Sequence, residues 1–471
     1  MAGPSAQRFD RRITDGPLAL AVWHLAWPTI IQNMMGGFQG ILDHTMVGHI
    51  TGYRGNAAIG VSWQIFLVVI VFISSLFTGM AVLVARFAGA GDSDKVNRVV
   101  YQAFLCSLFL GFGVMAPIGY LATPSLLQLV NAAPEVQVEA LPYLRIMFTG
   151  GIGMLLFFML GGALRAAGDA KTPLRLGIAL SVMHFTLNFI LIRGWGPIPA
   201  LGTRGAALGA SIAATTMGAV GVWLLFTHRT PIWFKRDMQL RPDWAIIRSL
   251  FRFGLPSGLQ GVAMNLGGLL MLRFIGGLDH SAEAQAAYSV GYNQLFSLIT
   301  WTSVGLMGAA ATVAGQNLGA GRPDRARHAV AVTSRIGVML AGGIGLVFLL
   351  IPELLLGIFG MTEPRVVQMG VQLLRVLGVS GLFVNLALVH TGGLQGTGDT
   401  RSPFFISLIS QVVVPLGWCF LLQRFRGPLQ PLDIWLAILF GHFTRCTLSI
   451  LRFRQGKWRS IHVDIEPAAA G

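Results

Sequence analysis

Acidic residues are scarce in this chain, with 19 Asp and Glu against 34 Lys and Arg in 471 residues. Charged residues of both signs make up 11% of the chain, where a soluble domain carries about 25%. That shortage excludes a water-soluble domain as the bulk of the protein. Cysteine is nearly absent: Cys106, Cys419 and Cys446 lie in or at the ends of apolar stretches. They suggest neither a disulfide framework nor a metal cluster. Enzyme signatures are missing too. There is no phosphate-binding glycine loop ending in Lys-Ser or Lys-Thr, no His-Glu-x-x-His pair and no Gly-x-Ser-x-Gly elbow. Direct ATP drive from this chain and hydrolytic chemistry are therefore not expected. The basic start of the chain (Arg8, Arg11, Arg12) does not read as a cleavable signal, because the first apolar run is too long and lacks a small-residue cleavage site.

What fills the chain is apolar sequence, 54% of all residues. It falls into twelve runs: 24–49, 58–85, 99–122, 142–164, 174–193, 205–227, 253–277, 286–314, 329–351, 370–393, 404–424 and 432–450. Runs of about 20 residues match the thickness of a bilayer core. The reading is an all-α membrane protein of twelve transmembrane helices.

The net charge of +15 has a topological explanation. With the N-terminus in the cytoplasm, the inside connections collect Lys95, Arg98, Arg165, Lys171, Arg175, Arg229, Lys235, Arg236, Arg241, Arg322, Arg325, Arg327, Arg452, Arg454, Lys457 and Arg459. The outside connections hold few. This positive-inside bias places both termini in the cytoplasm of a cell whose inner (plasma) membrane holds the chain. The lipid bilayer is then the partner of these cations, and nucleic acid is not.

The chain also repeats itself. Gly89-Ala90-Gly91 returns as Gly319-Ala320-Gly321, and Gly168-Asp169-Ala170-Lys171-Thr172-Pro173 returns as Gly398-Asp399-Thr400-Arg401-Ser402-Pro403, both at an offset of 230. Six spans per half return the chain to its starting side, so the halves should be related by a pseudo-twofold along the membrane normal, with a working cleft between them. The expected division is a cytoplasmic segment 1–23, a six-helix bundle 24–227, a linker 228–252, a second bundle 253–450 and a tail 451–471. Gly91 and Gly321 suit the left-handed end of a helix. Asp94 and Asp324 are expected to cap the next helix, as are Thr172 and Ser402 ahead of their prolines. Pro28 and Pro256 are equivalent in spans 1 and 7 and can bend them. Glycine pairs such as Gly36/Gly40 and Gly205/Gly209 allow close approach of helices.

One acid stands apart. Asp43 lies inside the first span, where a carboxylate is expensive and should face protein or a water-filled cavity. Such a carboxyl can take up and release a proton as its surroundings change. Gln32, Gly36, Gln39 and Asp43 are separated by four, three and four residues and share one helix face. The matching face of span 7, Gln260, Met264, Gly267 and Met271, has no acid. In span 5, His184 and Asn188 lie one turn apart, while their repeat counterparts are Val414 and Trp418. The expected ion site is Asp43 with Asn188 and His184. Gln32, Gly36, Gln39, Gln64, Gln260, Asn265 and Gln294 are candidates for the substrate cavity. Phe38, Trp63, Phe66, Phe72, Phe296 and Trp301 could line it or face lipid. Arginines gather at span ends, with only Arg273 read as lying within a run.

Three features together resemble the multidrug and toxic compound extrusion (MATE) family over almost the whole chain. They are Ala26-Trp27-Pro28-Thr29-Ile30 with Asp43 and Val47-Gly48 downstream, Gly315-Gln316-Asn317-Leu318-Gly319-Ala320-Gly321-Arg322, and the doubled Gly-Asp-x-Lys/Arg-Thr/Ser-Pro motif. The resemblance implies two six-helix bundles forming a V. It implies export of small organic, often cationic compounds against inward protons or sodium ions, with Asp43 as the coupling acid. Two departures point to the DinF-like branch or a relative of it. The span-7 glutamate of many members falls near Met264, and the second acid of span 5 is Asn188. Both weaken a sodium site and favour protons, with sodium as the alternative. No cofactor is implied, and a single chain is expected to function alone. A flippase for a lipid-linked saccharide is the competing reading, disfavoured by the lack of cations deep in the spans.

Overall fold

The structure, a computed structural model, describes residues 9–235, 238, 240–463 and 465. Arg8 and Arg236 lie outside the described residues. Helix dominates. Residues Leu18–Gly89 run almost continuously but break at Gly52, whose φ of 71° no L-residue adopts easily. We call 18–51 α1 and Arg54–Gly89 α2. There follow α3 (Ser93–Leu129), α4 (Pro134–Ala166), α5 (Lys171–Arg193), α6 (Thr203–Phe226), α7 (Trp244–Gly276), α8 (Ser281–Gly319), α9 (Pro323–Leu350), α10 (Pro364–Gly396), α11 (Arg401–Phe425) and α12 (Pro431–Arg454). Among the described residues, eleven helices, α2 to α12, are long and apolar enough to cross a membrane. The expected twelfth is α1. Its polar stripe of Gln32, Asn33, Gln39, Asp43 and His44 lowers its hydropathy, so the helix with the most chemistry is the least membrane-like by composition.

The repeat is written in the backbone. Gly91 and Gly321 take φ of 77° and 73°, and Gly168 and Gly398 both take 102°. The caps differ from expectation. Asp92, not Asp94, accepts the Lys95 amide at 2.9 Å, because a carboxylate at the residue before the first turn is the one that reaches a free N–H. Asp94 instead pairs with Lys235 at 3.0 Å, and Asp324 with Arg459 at 2.9 Å. Asp169 accepts the amides of Lys171 and Thr172, both at 3.0 Å. Asp399 accepts that of Ser402 at 3.2 Å. The aspartate of the motif does the capping, and Thr172 and Ser402 lie in the helix.

Two compact units emerge, and they do not follow the chain halves. One holds Ile31–Gly258; the other holds Arg11–Ile30 with Leu259–Val463. In the first unit, the start of α7 packs on α2, where a Cβ on Gly79 would lie 2.9 Å from the Gly254 nitrogen. In the second, the start of α1 packs on α8, where a Cβ on Gly305 would lie 3.0 Å from the Ile30 nitrogen. Glycine on α2 and on α8 admits a neighbouring backbone, and close backbone approach is what holds helices together in lipid. The opening stretch of each proline-containing helix thus packs with the other half's sequence. Of the glycine pairs singled out above, only Gly205 and Gly209 are in close contact; Gly36 and Gly40 face open space. Within the stretch 228–252, Gln102 of α3 donates to the Arg241 carbonyl at 3.0 Å and accepts the Asp243 amide at 3.1 Å.

Candidate functional site

In the first unit, α1 and α5 bring their polar faces together. Asn188 is fully buried, and its Nδ2 donates to Asp43 Oδ1 at 2.7 Å. The same Nδ2 stands 3.0 Å from His184 Nε2, and His184 Nε2 stands 3.4 Å from Asp43 Oδ1. One turn back on each helix, Gln39 Nε2 donates to Ser181 Oγ at 2.9 Å. Gln32 Oε1 accepts from Arg165 at 3.1 Å. The spacing that places Gln32, Gln39 and Asp43 on one side of α1 is the helical period, and each meets a partner from another helix. Asn188 fits because Gly209 of α6 faces it, where a Cβ would overlap its Oδ1.

Two neighbours carried no sequence signal. Ser181 is one of many small residues in its span. Tyr143 of α4 is buried and lies within reach of the Asp43 charge. Neither residue type is unusual in a span, so only the fold reveals them.

Other candidates lie elsewhere. Gly36 is exposed and open, and Gln64, Asn265 and Gln294 are exposed; Asn265 donates to its own helix at the Gly261 carbonyl, 2.9 Å away. Gln260 belongs to the second unit, donating to Ser407 Oγ at 2.8 Å and accepting from Gln395 at 3.3 Å. Gln395 holds the repeat position of Arg165, so the two units build related glutamine contacts with different chemistry. The aromatics divide: Phe66 and Phe296 are core, whereas Phe38, Trp63, Phe72 and Trp301 are exposed. A second arginine lies within a run. Arg273 is not alone within a run, because Arg445 sits deep in α12 and is 3% exposed.

No group of three or more His, Cys, Asp or Glu side chains gathers among the described residues. Asp43 supplies one carboxylate, with an amide donor and an imidazole against the same oxygen.

Comparison with known proteins agrees with this architecture. The MatE family model matches residues 28–190 and 256–421, one segment in each half of the repeat. The chain is 27% identical over 444 residues to the probable multidrug resistance protein NorM of Thermotoga maritima, covering 92% of each. It is 26% identical to the multidrug resistance protein MdtK of Pectobacterium atrosepticum, over 91% of this chain and 94% of that one. A solved multidrug resistance MATE family transporter of the MOP superfamily, in its outward-facing conformation, superposes with a TM-score of 0.88 at 20% identity, covering 96% of this chain and 98% of that one. A MOP superfamily transporter from Pyrococcus furiosus superposes with a TM-score of 0.87. At that identity the likeness establishes the fold of two six-helix bundles.

Proposed function

The chain belongs to the MatE family, and from that premise we propose that it is a secondary antiporter exporting small organic compounds, cationic amphipathic ones among them, in exchange for protons bound at Asp43. It works as a single chain in the inner membrane with both termini cytoplasmic. Multidrug resistance is named for relatives such as NorM and MdtK, and a similar substrate range is proposed for this chain.

The observation that carries the reading is the three-way contact of Asp43, Asn188 and His184. The Asn188 amide donates one hydrogen to Asp43 Oδ1 and, in the His184 tautomer whose Nε2 carries no proton, offers the other to His184 Nε2. With both hydrogens used, Asp43 and His184 face each other at 3.4 Å as two acceptors. One added proton between them turns a repulsive contact into a hydrogen bond. Losing that proton drives the two side chains apart, and α1 carries one of them. A proton can drive transport only if it binds the two transport states unequally, and a contact that changes sign with protonation supplies that inequality.

The test is efflux from proteoliposomes, wild type against Asp43→Asn, with a pH gradient or a sodium gradient imposed separately. A pH gradient alone should drive the wild type, and the variant should fall to background. Sodium-driven export, or coupled export by the variant, would place the coupling ion elsewhere.

A further inference from the structure

The second unit contains a buried cation that its surroundings do not neutralise. Arg445 is 3% exposed on α12, and no carboxylate among the described residues pairs with it. Its electrostatic neighbours are Tyr292 and His442. A guanidinium keeps its proton in proteins, and a lone buried charge is strongly destabilising. Nine residues separate Arg445 from the end of α12, about 13 Å of helix. Its near-complete burial shows that it does not snorkel to the interface.

The groups around it are unsatisfied as well. Arg445 Nε, both ring nitrogens of His442, Trp435 Nε1 and the Ser449 hydroxyl lack hydrogen-bond partners. Residues 435, 442, 445 and 449 share one face of α12. His442 and Ser449 lie one turn either side of Arg445. The Ser410 hydroxyl is also unpartnered, and the Ser410 carbonyl would lie 2.6 Å from a Cβ on Gly441, which places Ser410 against the same helix. Folded proteins leave few buried polar groups unpaired. Here four of them lie along one face of α12, and the hydroxyls, the indole and one ring nitrogen of His442 can donate.

Two π-helical stretches frame this face. Ser289–Leu295 in α8 presents Tyr292, whose ring stacks on His442 with centroids 6.5 Å apart. Ile409–Val413 in α11 presents Ser410. Such bulges gather at functional sites. The repeat offers no precedent: aligning Thr203 with Pro431, an offset of 228, the counterparts in α6 are Ala207, Ala214, Met217 and Gly221. The polar face is therefore not a by-product of a shared packing scheme.

We propose that this face of α12 is an anion site, centred on Arg445 and His442 with hydroxyls from Ser410 and Ser449, that takes a halide-sized monovalent anion such as chloride. The ligand is small because the groups are packed and buried. It carries one charge because a single guanidinium is present. A lipid phosphate or pyrophosphate would need more cations and an opening for its tail.

The test uses purified full-length protein in nanodiscs, with chloride or bromide exchanged against gluconate at equal ionic strength. Halide should raise the unfolding temperature along a saturable curve, and Arg445→Met, which removes the charge but keeps the stem, should lose the response. Crystals grown in bromide should show an anomalous peak beside Arg445 and His442, which decides the matter even if the variant fails to fold. Equal unfolding temperatures in chloride and gluconate for the wild type, an undiminished response in Arg445→Met, or bromide found only at the surface would each overturn the proposal. None of these readouts involves transport, so the result stands apart from the antiporter reading.

Discussion

At Gly209 the absence of one methyl group lets the Asn188 amide reach Asp43. A Cβ there would overlap Asn188 Oδ1, and the amide would have to turn or withdraw. We expect Gly209→Ala to destabilise the protein by about 1–3 kcal/mol through overpacking and to lower proton-driven efflux toward the level of Asp43→Asn. Gly343→Ala is the comparison, since a Cβ at Gly343 meets nothing within 4 Å. In a helix it should leave stability unchanged or raise it by about 0.5–1 kcal/mol. Unfolding temperature and proteoliposome efflux on both variants check this; equal behaviour would show that Asn188 is not held by Gly209. Asp43 was legible in the sequence because an acid deep in an apolar run has no other excuse. The same rule applies to Arg445, which stands within the run 432–450. The basic flank from Arg452 to Arg459 hides it among cations that serve the interface, and only burial separates it from them.

Between helices, the doubled aspartate motif shows how one sequence device acquires two weights. Asp169 only caps α5. Asp399 caps α11 and also receives Arg452 of α12, whose Nη2 lies 2.7 Å from Oδ2 and whose Nε lies 2.8 Å away. The Asp399 side chain is 6% exposed. Removing a partner from so buried a carboxylate leaves an uncompensated charge, so Arg452→Ala should cost about 3–5 kcal/mol. Lys235→Ala breaks a pair whose side chains are 48% and 73% exposed, and it should cost less than about 1 kcal/mol. Unfolding midpoints of the two variants test the contrast, and comparable losses would mean that Arg452 does not neutralise Asp399. The motif itself was readable; the identity of the cap was not, because aspartate and threonine at those positions are both good caps and only geometry chooses. The π-helical stretches were invisible for a related reason. One extra residue per turn barely disturbs an apolar pattern read over 20 residues.

For the molecule as a whole, twelve apolar runs and a repeat were enough to expect two bundles, and the compact units are built from that repeat. The exchange of first turns was not legible, because hydropathy says that a residue is apolar and not which apolar surface it joins. Glycines 79 and 305 decide that through backbone contact. Orientation rests on charge alone, and so is tested directly. The cations of the even connections and the tail should remain in the cytoplasm. The tail and the inside connections then share a compartment, and the α5–α6 and α9–α10 connections lie opposite. Ala200 and Thr362 are exposed in those two connections, and Ser460 is exposed after α12. The native cysteines are buried or half-buried and should react slowly. In intact cells, a membrane-impermeant maleimide should therefore label Ala200→Cys and Thr362→Cys but spare Ser460→Cys until the membrane is opened. Labelling of Ser460→Cys from outside would invert the chain, and protons would then enter the site from the face now assigned to the cytoplasm.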